Sequence, residues 1–220
     1  GLDLTFKCAT SGSIITTVNV PNLTSGIDVT PICKSSCSRC QSSSCSFPYG
    51  ISKFTYSTIV DLSGAGTCCN IKISADQCCR SSNITTGAAD AGFFTEALLN
   101  RCQNPCDNSP EFGSEPFLIQ CIGQDQVYNP GLIDNDKDKF GVKIDSFTYE
   151  WTQPLQASGS PIAYTGQYTY DKPIYFWGFP YPNLPFPRGI HLDPQNGDIL
   201  YRPMKAEITV MCVKINEFRK

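Results

Sequence analysis

Charge is scarce in this chain and has no preferred place. Charged residues make up 17% of its 220 residues and the net charge is −3, against roughly 25% charged in an ordinary soluble domain. Residues 1–110 carry seven basic and seven acidic side chains, and the remainder ten and thirteen. Without a block of one sign there is no electrostatic footprint for nucleic acid or an anionic membrane. No apolar run reaches the ~20 residues that span a bilayer. Histidine is nearly absent: His191 stands alone, so any Ser or Cys triad would depend on it. Its setting, Gly189-Ile190-His191-Leu192-Asp193, reads instead as a strand before a turn. Paired carboxylates of the glycosidase kind have no local signature. These scarcities argue against an enzyme. No internal repeat is visible. No signal peptide stands at Gly1, as in a mature or excised chain. The last residues, Ile215 to Lys220, still read as a strand, so the polypeptide is expected to continue.

Cysteine is what the chain has in excess. There are thirteen. Cys8, Cys33, Cys37, Cys40, Cys45, Cys68, Cys69, Cys78, Cys79, Cys102 and Cys106 crowd the first half, and only Cys121 and Cys212 follow. Such density implies a disulfide framework in an oxidising compartment, outside the cytosol. Cys33-x3-Cys37-x2-Cys40 has the spacing of an iron–sulfur loop, and with Cys45 it has zinc-ligand spacing. The Ser-rich surroundings and neighbouring cysteines favour a stapled loop over either. The doublets Cys68-Cys69 and Cys78-Cys79 bracket an apparent strand. If it is extended, Cys69 and Cys78 lie roughly 30 Å apart at ~3.3 Å per residue, beyond the ~7 Å that a disulfide allows. Each doublet is therefore expected to staple one end of that strand to a neighbour. Cys121 and Cys212 are expected on the first and last strands of the second half, as candidate partners for each other. The odd cysteine would then fall in the first half, free or joined to another chain.

Gly and Pro together number 33, which favours strands and turns. The turn-rich stretch 104–110 marks a boundary, giving a cysteine-rich β domain over 1–110 and a β-sandwich domain over 111–220. Strands are expected at Leu2–Phe6, Ile14–Val20, Phe54–Val60 and Cys69–Ala75, the last with Ile71 and Ile73 on one face. Asp90–Leu99 is the best helix candidate, although Phe93, Thr95, Ala97 and Leu99 also alternate as a strand would. In the second half, Phe117–Ile122, Phe147–Trp151 and Glu207–Val213 read as strands. Asn196-Gly197 turns the chain between Ile190–Leu192 and Ile199–Tyr201. Several short strands separated by turns point to an all-β chain with two sandwich-like units.

Two segments carry candidate binding chemistry. Asp134-Asn135-Asp136-Lys137-Asp138 alternates oxygen ligands as a hard cation requires. Asp134, Asp136 and Asp138 are thus candidate calcium ligands, with Asp125 and Asp145 flanking and Lys137 and Lys139 opposing. No cofactor is otherwise required. The aromatic, proline-rich run 175–187 cannot be a central strand. Tyr175, Phe176, Trp177, Phe179 and Tyr181 would form a platform for glycan or protein, or a loop folded over the sandwich. Asn22-Leu23-Thr24 and Asn83-Ile84-Thr85 match the N-glycosylation triplet.

A set of landmarks recurs in order: Leu2-Asp3-Leu4-Thr5-Phe6-Lys7-Cys8, Cys68-Cys69-Asn70-Ile71-Lys72-Ile73-Ser74, Cys78-Cys79-Arg80-Ser81-Ser82-Asn83-Ile84, Glu96-Ala97-Leu98-Leu99-Asn100, Asn108-Ser109-Pro110-Glu111-Phe112, Cys121-Ile122-Gly123-Gln124, Tyr128-Asn129-Pro130-Gly131-Leu132-Ile133-Asp134, Leu192-Asp193-Pro194-Gln195-Asn196-Gly197-Asp198-Ile199 and Val213-Lys214-Ile215-Asn216-Glu217-Phe218-Arg219. In these the chain resembles, over nearly its whole length, the N-terminal region of large secreted surface proteins of Bacteroidota, the gliding motility-associated or adhesin-like proteins. The resemblance implies type IX secretion and a cadherin- or immunoglobulin-like later half. It also implies a non-catalytic role in a stalk, filament or gliding adhesin. Partners would be other domains of a larger surface protein, neighbouring copies or surface glycans. The family's loop has Gly where Lys137 stands, a departure that bears on metal binding at Asp134, Asp136 and Asp138.

Overall fold

The computed structural model describes residues 1–33, 35–105, 107–176 and 189–219, and it is all-β. Two compact units share the chain: Gly1–Gln77 with Thr95–Gln103, and Cys78–Phe94 with Asn104–Lys220. The division thus falls at Gln103/Asn104 rather than at 110, and it assigns 78–94 to the later unit. Hydrogen bonds explain that assignment. Arg80 Nη2 donates to the Leu155 carbonyl at 3.0 Å, and Thr85 N–H to the Ile208 carbonyl at 2.8 Å. Thr86 Oγ1 meets Thr209 Oγ1 at 2.7 Å.

The first unit opens with β1 (Leu2–Cys8) and β2 (Ile14–Val20), an antiparallel hairpin. Short strands β3 (Ile27–Asp28) and β4 (Ser52–Lys53) pair with each other. Then come β5 (Asn70–Gln77) and β6 (Phe93–Asn100), completing a strand order β6-β5-β1-β2. Alternation sends Phe6 and Ile71 inward, where with Ala65 they form a small core flanked by Leu4, Ile15, Val60, Leu62 and Ile73. The 90–99 segment is thus a strand and not a helix. Its outward Glu96 meets Lys72 of β5 at 3.1 Å, an exposed pair of the cross-strand kind that supports sheet pairing. Phe54–Val60 is not a strand: it makes one bridge, Tyr56 to Asn22, and Ile59 is 100% exposed.

Disulfides tie this unit. Cys8 bonds Cys68 and Cys69 bonds Cys102, so the first doublet staples the start of β5 to β1 and to the end of β6. Cys37 bonds Cys45 inside the Ser-rich loop. That loop hangs on Asp28, whose carboxylate accepts from Ser38 Oγ and Thr30 Oγ1, each at 2.6 Å, and from Gln41 Nε2 at 3.0 Å.

The second unit contains β7 (Glu111–Phe112), β8 (Gln126–Tyr128), β9 (Leu132–Ile133), β10 (Asp145–Trp151), β11 (Leu155–Ala157), β12 (Ser160–Pro161), β13 (Ile190–Leu192), β14 (Ile199–Tyr201) and β15 (Val213–Arg219). Strand β14 lies between β13 and β8, and β10 pairs with β15 along its full length. Phe94, at the start of β6, pairs with Leu155 of β11. Tyr149, Ile174, Ile190, Leu192, Ile199 and Tyr201 form the core, with Phe147, Trp151, Val213 and Ile215 packed against it.

The Asn196-Gly197 turn joins β13 and β14 as the sequence predicts. Asp193 organises it, accepting the Gln195 and Asn196 N–H groups on Oδ1 at 2.8 and 3.2 Å. Two expected strands differ. Phe117–Ile122 does not pair, and the strand beside β14 is β8. The closing strand begins at Val213 rather than Glu207. Upstream, single bonds replace a ladder: Ile208 N–H donates to Thr85 Oγ1 at 3.0 Å, and Tyr164 O–H to the Val210 carbonyl at 2.8 Å.

Candidate functional site

The period of two along β15 puts Val213, Ile215, Glu217 and Arg219 on one face. Opposite them stand Trp151, Tyr149, Phe147 and Asp145 of β10. The face is apolar at one end, at Trp151 and Val213, and ionic at the other, at Asp145 and Arg219. Lys214 and Phe218 point the other way and are exposed. Asp134 and Asp136, just after β9, join this ionic end and are buried, Asp134 to 5% exposure. Asp107 completes the set.

The carboxylates form two overlapping groups, and in each a ligand oxygen from every member lies within 4.8 Å of the others: Asp107, Asp136 and Asp145, and Asp134, Asp145 and Glu217. Arg219 serves the first group. Its guanidinium pairs with Asp145 at 3.0 Å, Asp107 at 2.5 Å and also Asp136. Asn108 donates to Asp136 from its backbone N–H at 3.1 Å and from its side chain. These bonds, Asn108 foremost, lower the Asp136 pKa, and hydrogen bonding to Asp145 raises that of Arg219. Burial raises the pKa of Asp107 despite its guanidinium partner.

In the second group Arg219 reaches Asp145 alone, on both of its oxygens at 3.0 and 3.1 Å. Asp134 Oδ1 accepts the Asp136 N–H at 2.7 Å. Asp134 Oδ2 and Glu217 Oε1 are buried and accept nothing from the described residues. Burial and the facing Asp134 carboxylate push Glu217 up to about 8.

The predicted triad Asp134, Asp136 and Asp138 is therefore split. Asp138 leaves the cluster because its Oδ1 caps its own loop, accepting the Phe140 and Val142 N–H groups at 2.8 and 2.9 Å. Asp125 also turns away, to Arg202 at 2.7 Å. Sequence reading missed Glu217 and Arg219, although the signal was present: both share the inward parity of Val213 and Ile215.

Trp177, Phe179 and Tyr181 lie outside the described residues. Tyr175 is 42% exposed, whereas Phe176 packs against the core.

The cysteine framework is narrower than thirteen. The second doublet, Cys78 and Cys79, reaches no other described cysteine and so staples no neighbour. Cys33, Cys40, Cys121 and Cys212 are free. Cys121 sits on an exposed, unpaired segment and Cys212 just before β15, so neither occupies the expected strand. The bonded state of Cys37 removes it from the iron–sulfur and zinc sets. Cys106 lies outside the described residues.

These features define an all-β chain with cystines and a buried ionic cluster. No helix among the described residues is long and apolar enough to cross a membrane. Comparison with protein-family models, with curated proteins and with solved structures finds no match.

Proposed function

We propose that this chain is an extracellular structural or adhesive module of a bacterial cell-surface protein, part of a stalk, filament or gliding adhesin, and that it acts without catalysis. The observation that carries this reading is the pair of cystines Cys8–Cys68 and Cys69–Cys102, which tie β5 to both of its neighbours. Covalent cross-links of this kind need an oxidising compartment to persist. They hold a small, loop-rich core together where proteases and shear act on it. The ordered landmarks that resemble those of Bacteroidota surface proteins motivate the bacterial setting, and a sandwich-like later half is part of the same reading.

The test is retention under flow. Beads carrying the oxidised chain, and beads carrying the reduced and alkylated chain, pass over polysaccharide- and protein-coated surfaces while sedimentation follows self-association. The oxidised chain is expected to adhere or self-associate and the reduced chain to do neither. An oxidised chain that does neither would sink the proposal.

A further inference from the structure

We propose that Asp134, Asp145 and Glu217 bind a divalent cation of the calcium type and thereby fasten the last strand, β15, to the segment after β9. The inference stands on the second unit alone and does not depend on the adhesive role.

Three segments contribute one carboxylate each: the stretch after β9, the start of β10 and the inward face of β15. Their ligand oxygens lie within 4.8 Å of one another. They are shielded from water, Asp134 being 5% exposed and the Asp145 side chain 1%. Buried carboxylates are stable only when paired, hydrogen-bonded or bound to a metal. Here five carboxylates, Asp107, Asp134, Asp136, Asp145 and Glu217, face one guanidinium. Arg219 reaches Asp107, Asp136 and Asp145. Asp134 Oδ2 and Glu217 Oε1 accept no hydrogen bond among the described residues. Two buried acceptors turned toward each other are held by a cation or by a shared proton, and the excess of carboxylates over the one guanidinium favours the cation.

The donor set selects the ion. It offers carboxylate oxygen without imidazole or thiolate, which disfavours zinc and copper. Calcium takes six to eight oxygens in adaptable geometry, whereas magnesium demands a near-ideal octahedron and keeps its water. Three side chains from three segments suit calcium, with water or carbonyl oxygen completing the shell.

The oxidised full chain, stripped with chelator, is titrated calorimetrically with CaCl2 and with MgCl2 and melted in each. Calcium is expected to bind with a Kd of roughly 0.1–1 mM, the range of extracellular modules, and to raise the melting temperature. Glu217→Gln and Asp134→Asn should weaken binding by roughly tenfold or more, because affinity follows ligand charge. Asp138→Asn should leave it unchanged. If neither ligand variant folds, hydrogen exchange on the wild type decides: β15 amides should gain protection with calcium. No heat and no shift up to about 10 mM CaCl2, far above that range, would overturn the proposal, leaving a shared proton between Asp134 and Glu217. So would equal losses in Asp138→Asn and Glu217→Gln, which would move the ion to the surface loop, or unchanged β15 exchange.

Discussion

Asp28 shows how much one side chain organises. Ser38, Thr30 and Gln41 all donate to it, and these bonds, Ser38 first, hold its pKa at about 2 instead of 3.8. Hydrogen bonds to the ionised form favour that form. A depressed pKa means that its contribution to folding is complete above the unfolded value and disappears as the pH falls through about 2. Relative to their intrinsic rates, amides of residues 36–45 should therefore exchange faster as the pH falls from about 4 to 2, the interval bounded by those two values. Asp28→Asn should show that faster exchange already at neutral pH; identical exchange in both proteins would remove Asp28 from this role. Gly197 makes a similar case through sterics. Its φ is +79°, and a Cβ there would lie 2.7 Å from the Tyr149 ring. Gly197→Ala should cost about 1–3 kcal/mol, since the new residue meets both a disfavoured backbone and a filled space, and a urea melt would measure it. The two residues differ in legibility. Asn196-Gly197 announces a turn from composition alone, whereas nothing local to Asp28 reveals that a loop ten residues downstream will hang from it. The run Asp134 to Asp138 lies between these cases. Alternation there identifies oxygen ligands but not which of them turn inward, because that depends on β10 and β15.

At the scale of elements, β5 and β15 carry the organisation. Cys8–Cys68 and Cys69–Cys102 close loops with sequence separations of 60 and 33 residues. Chain entropy assigns such loops about 4 kcal/mol each. Replacing either pair by serine should lower the denaturation midpoint strongly. Replacing Cys78 and Cys79 together should lower it far less, because neither ties its segment to another described part of the chain. Equal losses in all three double variants would contradict this account. Strands were most legible where both faces of the pattern were regular, as in β1, β2, β5 and β10. Phe117–Ile122 has the composition of a strand but joins no sheet, and pairing is a property of the fold. The 90–99 segment satisfied both periods, and the Lys72–Glu96 pair and the neighbouring strands decided between them. At Glu207–Val213 the apolar alternation is real, yet Thr85 and Tyr164 take up the backbone groups that a ladder would use.

For the molecule as a whole, cysteine chemistry separates into bonded and reactive sets. Cys33, Cys40 and Cys121 are exposed free thiols, and Cys212 is half-buried. Burial raises the Cys212 pKa, which lowers its thiolate fraction and slows alkylation. Iodoacetamide on the native oxidised protein, read by peptide mass spectrometry, should label the first three rapidly and Cys212 slowly. Rapid labelling of Cys8, Cys68, Cys69 or Cys102 would break the assigned framework. The three passages between units, after Gln77, Phe94 and Gln103, have a consequence for inheritance. No single cut in the gene releases either unit whole, since strand β6 begins in one and ends in the other. A recombination event that carried only one of them would break its sheet or leave part of its chain behind. The pair is therefore expected to duplicate, transfer and be lost as one cassette.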